Sequence, residues 1–344
     1  MDRYLVSPIT RDLQKKIVLL SGPRQVGKTT LSKMLTDDFD YFNYDNPEDR
    51  LRLRERSWDR SRQLIIFDEL HKLENWKSWL KGIYDTETRP PALLVTGSAR
   101  LDACREMGDS LAGRFFSFRL HPLDVREAST FGFTNGVSAG EILDRLLEVG
   151  GFPEPFLENS PAFYNRWRRS HLDIIIRQDL LDLESVNRIT KIETLIELLR
   201  GRVCSPVSFR SLAEDLQCSD KTVRHWLTIL ENLYVIFRVT PYHRNIARAL
   251  LKAPKFYFYD TGQVAAAAGP GARLENLVAC TLLKEVHYRQ DCLGENLSLH
   301  YIRDREKREI DFLITREQQP RTARPAATSP CSKTCPVGFG VCSW

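Results

Sequence analysis

The sequence has no apolar run that approaches the roughly 20 residues needed to cross a bilayer. Its first residues, MDRYLVSPITRDLQ, lack the apolar core of a signal peptide. These two absences argue against a membrane-spanning or secreted protein. We therefore expect a cytoplasmic protein with no membrane partner.

A fourth zinc ligand is missing near the last three cysteines, Cys331, Cys335 and Cys342. Structural zinc sites are four-coordinate, so their spacing predicts no zinc site. The other five of the eight cysteines lie far apart in segments that look folded. In a reducing compartment they are expected to be small buried side chains.

A strong charge bias is also missing. The 50 Lys and Arg residues are nearly balanced by 45 Asp and Glu residues, which gives a formal net charge of +5. That modest excess permits a nucleic-acid partner without requiring one. The 344 residues leave room for two or three domains. Charge and length therefore select no function by themselves.

The first 140 residues alternate strand-like apolar runs with helical patterns, which predicts an α/β fold with a parallel sheet. Two of the runs, LIIF and ALLV, are continuously apolar, as expected for parallel strands buried on both faces. The predicted strands are KIVLL (16–20), YFNYD (41–45), LIIFD (64–68), ALLVTG (92–97) and RFFSFRL (114–120).

The segment from Gly22 to Thr29, GPRQVGKT, fits the P-loop pattern G-x-x-x-x-G-K-[ST] at every fixed position. It follows a predicted strand and opens a predicted helix, so backbone N–H groups and the helix N-terminus would face phosphates. Lys28 is expected to reach the β- and γ-phosphates of ATP, and the Thr29 hydroxyl to bind Mg²⁺. The predicted nucleotide-binding residues are Gly22, Gly27, Lys28, Thr29 and Thr30.

Two carboxylates, Asp68 and Glu69, end the apolar strand LIIFD. They should emerge at the carboxyl edge of the sheet, beside the P-loop. Asp68 is the expected second Mg²⁺ residue, and Glu69 the residue that orients and deprotonates the attacking water.

Two further features could complete this site. ALLVTGS ends in small hydroxyl residues, and either Thr96 or Ser98 could hydrogen-bond the γ-phosphate or the water. Arg114 precedes the last strand of the segment. It is either a solvated surface residue or a residue that completes the site of a neighbouring subunit.

The order of these motifs, with GSAR, LAGR and GGFPEPF, resembles the AAA-type ATPases of bacteria and archaea that carry a C-terminal domain of unknown function. The resemblance covers about residues 1–315. It implies an AAA-like α/β core, assembly into dimers or rings, Ser98 as a sensor of the γ-phosphate and Arg114 as an interfacial arginine finger.

Downstream, amphipathic helical patterns from about residue 140 to 200 are followed by SFRSLAEDLQCSDKTVRHWLTILENLYVIFRV, a helix–turn–helix pattern with a β wing. Ser219 and Asp220 can cap its second helix. Lys221, Arg224 and His225 should lie on the exposed side of that helix, where they suit DNA. Winged helices also bind proteins, so both kinds of partner remain open.

The last α/β segment resembles the start of a restriction-endonuclease-like core, with Glu275 on a helix and Asp311 on a strand. No Glu-x-Lys follows on a further strand, and the one lysine downstream of Asp311 is Lys333. Without that pair a hydrolytic water would not be activated, which argues against nuclease activity.

The expected organisation is thus an ATPase core (1–140), a helical lid or linker (141–200), a winged helix (201–250), an incomplete endonuclease-like segment (251–315) and a disordered tail (316–344). The leading hypothesis is an ATPase coupled to a nucleic-acid or protein partner. The alternatives are a nucleotide-gated DNA-binding switch with slow turnover and an ATPase-linked nuclease.

Overall fold

A computed structural model describes residues 3–86, 91–97, 111–130, 136–176, 186–242, 253–304, 306 and 308–316. The first segment forms a five-stranded sheet of order β2-β3-β4-β1-β5, in which all paired strands are parallel. This confirms the predicted α/β class. The strands are β1 (Ile17–Ser21), β2 (Phe39–Asn43), β3 (Leu64–Asp68), β4 (Ala92–Thr96) and β5 (Phe115–Arg119).

The central strands β1, β3 and β4 are apolar up to their last residue, as expected where both faces of the sheet are covered. Alternate residues of β1 enter different hydrophobic clusters, Val18 and Leu20 on one face and Ile17 and Leu19 on the other. The first cluster includes residues of helices α1 (Val6–Leu13) and α2 (Lys28–Lys33). The second includes residues of α3 (Pro47–Glu55) and α4 (Trp76–Thr86).

A helical region follows the sheet, and its helices begin at recognisable caps. Ser138 and Glu141 form a capping box at the start of α6, and Gly150, with φ of 74°, follows its end. The helices are α5 (Val125–Ser129), α6 (Ala139–Val149), α7 (Pro153–Glu158), α8 (Pro161–Ile174) and α9 (Val186–Arg200). Within the helical pattern predicted from about residue 140 to 200, residues 177–185 lie outside the described residues.

Two short helices and two strands come next, in the order of a winged helix. They are α10 (Phe209–Asp215), α11 (Asp220–Asn232), β6 (Ile236–Pro241) and β7 (Lys255–Phe258), and β6 pairs antiparallel with β7. The chain then forms α12 (Gly269–Leu293), β8 (Leu297–Arg303) and β9 (Glu309–Arg316). Strand β8 pairs parallel with β6 and antiparallel with β9.

The second sheet therefore has the order β7-β6-β8-β9 and joins the winged-helix strands to the last α/β segment. The boundary expected near residue 250 falls between β6 and β7, two paired strands of that sheet. Of the predicted tail (316–344), Arg316 is the last residue of β9, and residues 317–344 lie outside the described residues. In the part of the chain that the structure describes, no helix is both long and apolar enough to span a membrane.

Helix α12 also packs on the edge of the first sheet. Arg119, the last residue of β5, forms an ion pair with Asp291 of α12 at 2.8 Å. Lys284 of the same helix forms an ion pair with Glu127 of α5 at 2.6 Å. The C-terminal region is thus attached to the sheet that carries the P-loop.

Candidate nucleotide-binding site

The P-loop connects the end of β1 to the start of α2, at the carboxyl edge of the sheet. Gly22 has φ of 146°, and a Cβ there would lie 2.4 Å from the Leu120 carbonyl oxygen. Gly27 has φ of 96°. Both conformations are strained for residues with a side chain, so the two fixed glycines of the motif are required by the backbone of this loop.

Lys28 begins α2, and its side chain is largely buried inside the loop. Its Nζ donates hydrogen bonds to the carbonyl oxygens of Gly22 at 3.0 Å and Pro23 at 2.7 Å. The ammonium group is therefore held inside the loop by two of the loop's own carbonyl groups. Thr30, also predicted to bind nucleotide, lies in the first turn of α2 and is exposed.

Asp68 ends β3 and accepts hydrogen bonds from three hydroxyl groups. Thr29 Oγ1 lies 2.8 Å and Tyr41 Oη 2.7 Å from Asp68 Oδ2, and the Thr96 hydroxyl donates to Asp68 Oδ1. The carboxylate is 5% exposed. The structure thus brings together Thr29 and Asp68, the two oxygen ligands predicted for Mg²⁺.

Tyr41 was not among the predicted site residues. Burial, and then its hydrogen bond to Asp68, raises the pKa of Tyr41, so its hydroxyl is a neutral donor at neutral pH. The Lys33 ammonium lies over its ring at 3.8 Å from the centroid. Tyr41 lies on β2, which pairs with β3, so its closeness to Asp68 follows from the strand order. A local sequence motif does not reveal it.

Glu69 follows Asp68 in a left-handed backbone conformation, with φ of 57°. Its Oε2 atom is buried and has no hydrogen-bond partner among the described residues. His71 Nε2 and Lys72 Nζ each lie 3.6 Å from Glu69 Oε2. Burial removes the Glu69 carboxylate from water and raises its pKa, although the positive charge of Lys72 acts in the opposite direction. A buried acceptor with a raised pKa suits a general base.

The predicted sensor and finger residues are placed differently. Thr96 is fully buried and bonds to Asp68, whereas Ser98 lies outside the described residues. Arg114 precedes β5 and so lies at the amino edge of the parallel sheet, opposite the P-loop. It forms a two-pronged ion pair with Asp85, with N–O distances of 2.7 and 3.1 Å. Arg114 is therefore not part of the site in its own chain.

Side chains from outside the motifs also contact the loop. Arg3 donates to the Val26 carbonyl oxygen at 2.9 Å, and His171 Nε2 lies 3.2 Å from the Arg24 carbonyl oxygen. The Tyr234 hydroxyl lies 3.3 Å from Ser21 Oγ, at the residue before the loop. The P-loop thus contacts the N-terminal segment and the helical region, and the residue before it contacts the turn between α11 and β6.

In the winged-helix region, α11 buries Val223, Leu227 and Leu230. Ser219 caps the helix by accepting a hydrogen bond from the Thr222 N–H at 3.1 Å. The predicted DNA-contacting residues Lys221, Arg224 and His225 are exposed on the same helix. The Arg224 guanidinium lies 3.9 Å from the centroid of the Phe209 ring, so α10 supports its position.

In the last segment, Glu275 of α12 and Asp311 of β9 both contact Lys255, a lysine outside the predicted motifs. Lys255 of β7 has its Nζ 3.2 Å from Glu275, 3.1 Å from Asp311 and 2.5 Å from Glu309. Lys255 is 1% exposed. No group of three His, Cys, Asp or Glu residues able to hold a metal occurs among the described residues.

Residues 14–129 match the family model described as "AAA domain", and residues 140–273 match a second described as "Domain of unknown function (DUF8612)". The N-terminal region is thus similar to AAA domains in sequence, and it has the parallel sheet and P-loop described above. The DUF8612 match spans the helical region, the winged-helix elements and β7.

Two uncharacterized proteins, from Mycobacterium tuberculosis and Mycobacterium bovis, are each 31% identical over 253 residues. The match includes 72% of this chain and 54% of each relative, so the chain spans about half the length of these relatives. An uncharacterized protein of Haemophilus influenzae is 23% identical over 88% of this chain and 80% of its own length.

Among solved structures, the Aeropyrum pernix ORC1 protein in complex with DNA is 11% identical, with a TM-score of 0.40 over 82% of this chain and 95% of that one. A Pyrococcus horikoshii signal transduction ATPase with a tetratricopeptide repeat sensor is 13% identical, with a TM-score of 0.34 over 86% of this chain and 48% of that one.

Proposed function

We propose that this protein binds ATP with Mg²⁺ at the P-loop and hydrolyses it. The observation that carries the proposal is the arrangement at Asp68, which accepts a hydrogen bond from the P-loop Thr29. Its neighbour Glu69 presents a buried oxygen that has no hydrogen-bond partner within the described part of the chain. Two adjacent carboxylates thus serve the two purposes that hydrolysis requires, metal binding and activation of water.

The donor set fits the cofactor, because a threonine hydroxyl and a carboxylate are oxygen ligands of the kind Mg²⁺ prefers. Thr29 and Asp68 are the residues that would hold it, and bound Mg²⁺ would neutralise charge on the β- and γ-phosphates. Lys28 would exchange its carbonyl partners in the loop for phosphate oxygens. Glu69 would orient the attacking water and accept its proton at Oε2.

The test is nucleotide affinity and phosphate release, measured for the wild type and for Lys28→Ala, with Lys15→Ala as the control. Lys28→Ala should weaken MgATP binding by at least about a hundredfold, because a charge-assisted contact to two phosphates is removed. Lys15 is exposed and outside the loop, so its variant should bind normally. Wild-type affinity in Lys28→Ala would refute the P-loop assignment.

A second proposed activity is DNA binding through Lys221, Arg224 and His225 on α11. The supporting observation is that all three are exposed on the second helix of the helix–turn–helix while the opposite face is buried. ATPase turnover titrated with duplex and single-stranded DNA separates the alternatives. Stimulated turnover supports a DNA-coupled ATPase, slow turnover with nucleotide-dependent DNA affinity supports a switch, and no response to DNA favours a protein partner.

We also propose that Arg114 acts in a homo-oligomer. Arg114 lies at the amino edge of the sheet, away from its own P-loop. After leaving Asp85 it could reach the site of a neighbouring copy. Arg114→Ala should then lower turnover per site only at concentrations at which the wild type assembles. An equal loss in the monomer would contradict a role between subunits.

A further inference from the structure

Arg3 lies outside every sequence motif, yet its guanidinium group is buried next to the P-loop. The side chain is 5% exposed, and three of its nitrogens have different partners. Nη1 donates to the Val26 carbonyl oxygen at 2.9 Å, Nη2 donates to the His121 carbonyl oxygen at 2.6 Å, and Nε donates to Glu127. The rigid planar fork of arginine suits such a three-way contact, which a lysine could not reproduce.

The contact with Val26 fixes one peptide plane of the loop. Among the described residues no peptide bond is cis, and in a trans peptide the C=O of one residue and the N–H of the next point in opposite directions. Because Arg3 holds the Val26 carbonyl on its own side, the N–H of Gly27 is directed to the other side. Successive N–H groups oriented in this way are what form a phosphate-binding loop.

Arg3 is in turn held by a buried ion pair that reaches the C-terminal region. Glu127 accepts from Arg3 through Oε1 and from Lys284 of α12 through Oε2, the latter at 2.6 Å. Lys284 also contacts Asp124 Oδ2 at 2.8 Å. Removing one member of such a buried group leaves an uncompensated charge, so its members stay in place together.

We propose that Arg3 is a positioning residue of the nucleotide site, and that Glu127 and Lys284 link its position to the docking of α12 on the first sheet. The proposal rests on the proposed function, because it takes phosphate as the ligand of the loop. Coupling between two sites is reciprocal, so bound nucleotide should in turn strengthen the docking of α12.

The first experiment measures MgADP affinity by calorimetry for the wild type, Arg3→Lys and the control Arg11→Ala. Arg11 is an exposed arginine of α1 that pairs with Asp12. Arg3→Lys keeps the charge but loses the fork, so affinity should fall by about tenfold to a hundredfold, the value of a hydrogen bond to a charged group. Arg11→Ala should bind as the wild type does.

The second experiment measures hydrogen exchange in α12 with and without MgADP. In the wild type, MgADP should slow exchange in α12, and this protection should be lost in Arg3→Lys and in Lys284→Met. If Arg3 or Lys284 only stabilised the fold, its substitution would change the hydrogen-exchange rate of α12 equally with and without MgADP. The difference between the two conditions therefore reports positioning.

The outcomes separate the two proposals. If the wild type binds MgADP and folded Arg3→Lys binds it equally well, the Arg3 proposal is wrong while the proposed function stands. If Arg3→Lys does not fold, Glu127→Gln serves instead, with an expected severalfold loss of affinity and loss of α12 protection. Unchanged affinity and protection in that variant would overturn the proposal. If the wild type binds no nucleotide, the proposed function itself fails.

Discussion

The two sheets of this protein each carry a buried lysine beside carboxylates, but the groups are used differently. At the first sheet, Lys28 donates to two backbone carbonyls and Asp68 accepts from three hydroxyls. At the second sheet, Lys255 forms ion pairs with three carboxylates, Glu275, Glu309 and Asp311. These hydrogen bonds of the first cluster are to neutral groups, whereas in the second a single ammonium group pairs with three carboxylates.

This difference shows why similar residues have different prospects as ligand sites. Each of these bonds joins a charged group to a neutral one and contributes about 1.5–3 kcal/mol, so a charged ligand can take the place of the neutral partner. Separating a buried ion pair leaves an unpaired charge and costs about 3–5 kcal/mol. We therefore expect the first cluster to bind ligand and the second to stabilise the fold.

The largest effect is expected for Glu69→Gln. The amide keeps the shape but cannot accept a proton, so turnover should fall by about 10²–10⁴-fold while MgATP still binds. Because burial raises the pKa of Glu69, loss of its charge should not lower the unfolding temperature. Single-turnover hydrolysis, nucleotide titration and thermal unfolding measure these properties. Hydrolysis at the wild-type rate would show that Glu69 is not the general base.

Lys255→Met should have the opposite profile. Three carboxylates would lose their cation, and the free energy of unfolding should fall by about 3–5 kcal/mol. Nucleotide affinity of the folded protein should be unchanged, because Lys255 belongs to the second sheet. Denaturant unfolding and MgADP titration provide the two measurements. A stable variant with weakened nucleotide binding would contradict the division between the clusters.

The same lysine predicts a pH dependence. Burial opposes its charge, but the hydrogen bond to Glu309 and the nearby carboxylates outweigh burial and raise its pKa. Its contribution to stability should therefore be complete below about pH 10.4, the ordinary lysine value, and decline as the pH rises through the higher pKa of the folded state. The difference in the free energy of unfolding between the wild type and Lys255→Met, measured from pH 8 upward, should therefore shrink as the pH rises above about 10.4.

A smaller effect concerns the exposed helix α11. If it binds DNA phosphates, Lys221→Ala combined with Arg224→Ala should weaken DNA binding and make the salt dependence of affinity shallower by about one unit for each lost contact. Lys191→Ala is unsuitable as a control because Lys191 donates to the carbonyl groups of Leu216 and Gln217. Lys15→Ala is a better control, and normal affinity and slope in the double variant would favour a protein partner.

The smallest effect is expected for Tyr41→Phe, which removes one of the three hydroxyl donors to Asp68. Because Asp68 keeps the hydroxyl donors Thr29 and Thr96, Mg²⁺-dependent nucleotide affinity should change by no more than roughly tenfold. Titrations with and without Mg²⁺ distinguish an effect on the metal ligand from a general one. A change of equal size without Mg²⁺ would argue that Tyr41 acts on the loop instead.

Much of the first sheet could be predicted from the sequence because its strands are continuous apolar runs separated by helices. The positions of Lys28, Thr29 and Asp68 also followed from local patterns, since a P-loop and the end of a parallel strand meet at one edge of a sheet. Less could be predicted downstream, because β6 pairs with both β7 and β8, which lie far apart in the chain.

By itself, therefore, the sequence determined the parallel α/β class and the residues that form the P-loop, because both depend on short-range spacing and on the conformations open to Gly22 and Gly27. Only the tertiary structure decided which distant side chains hold those residues. Arg3 reaches Val26 across 23 residues, Tyr41 reaches Asp68 across 27, and Lys255 reaches Asp311 across 56. Such contacts depend on strand order and helix docking, which no local pattern encodes.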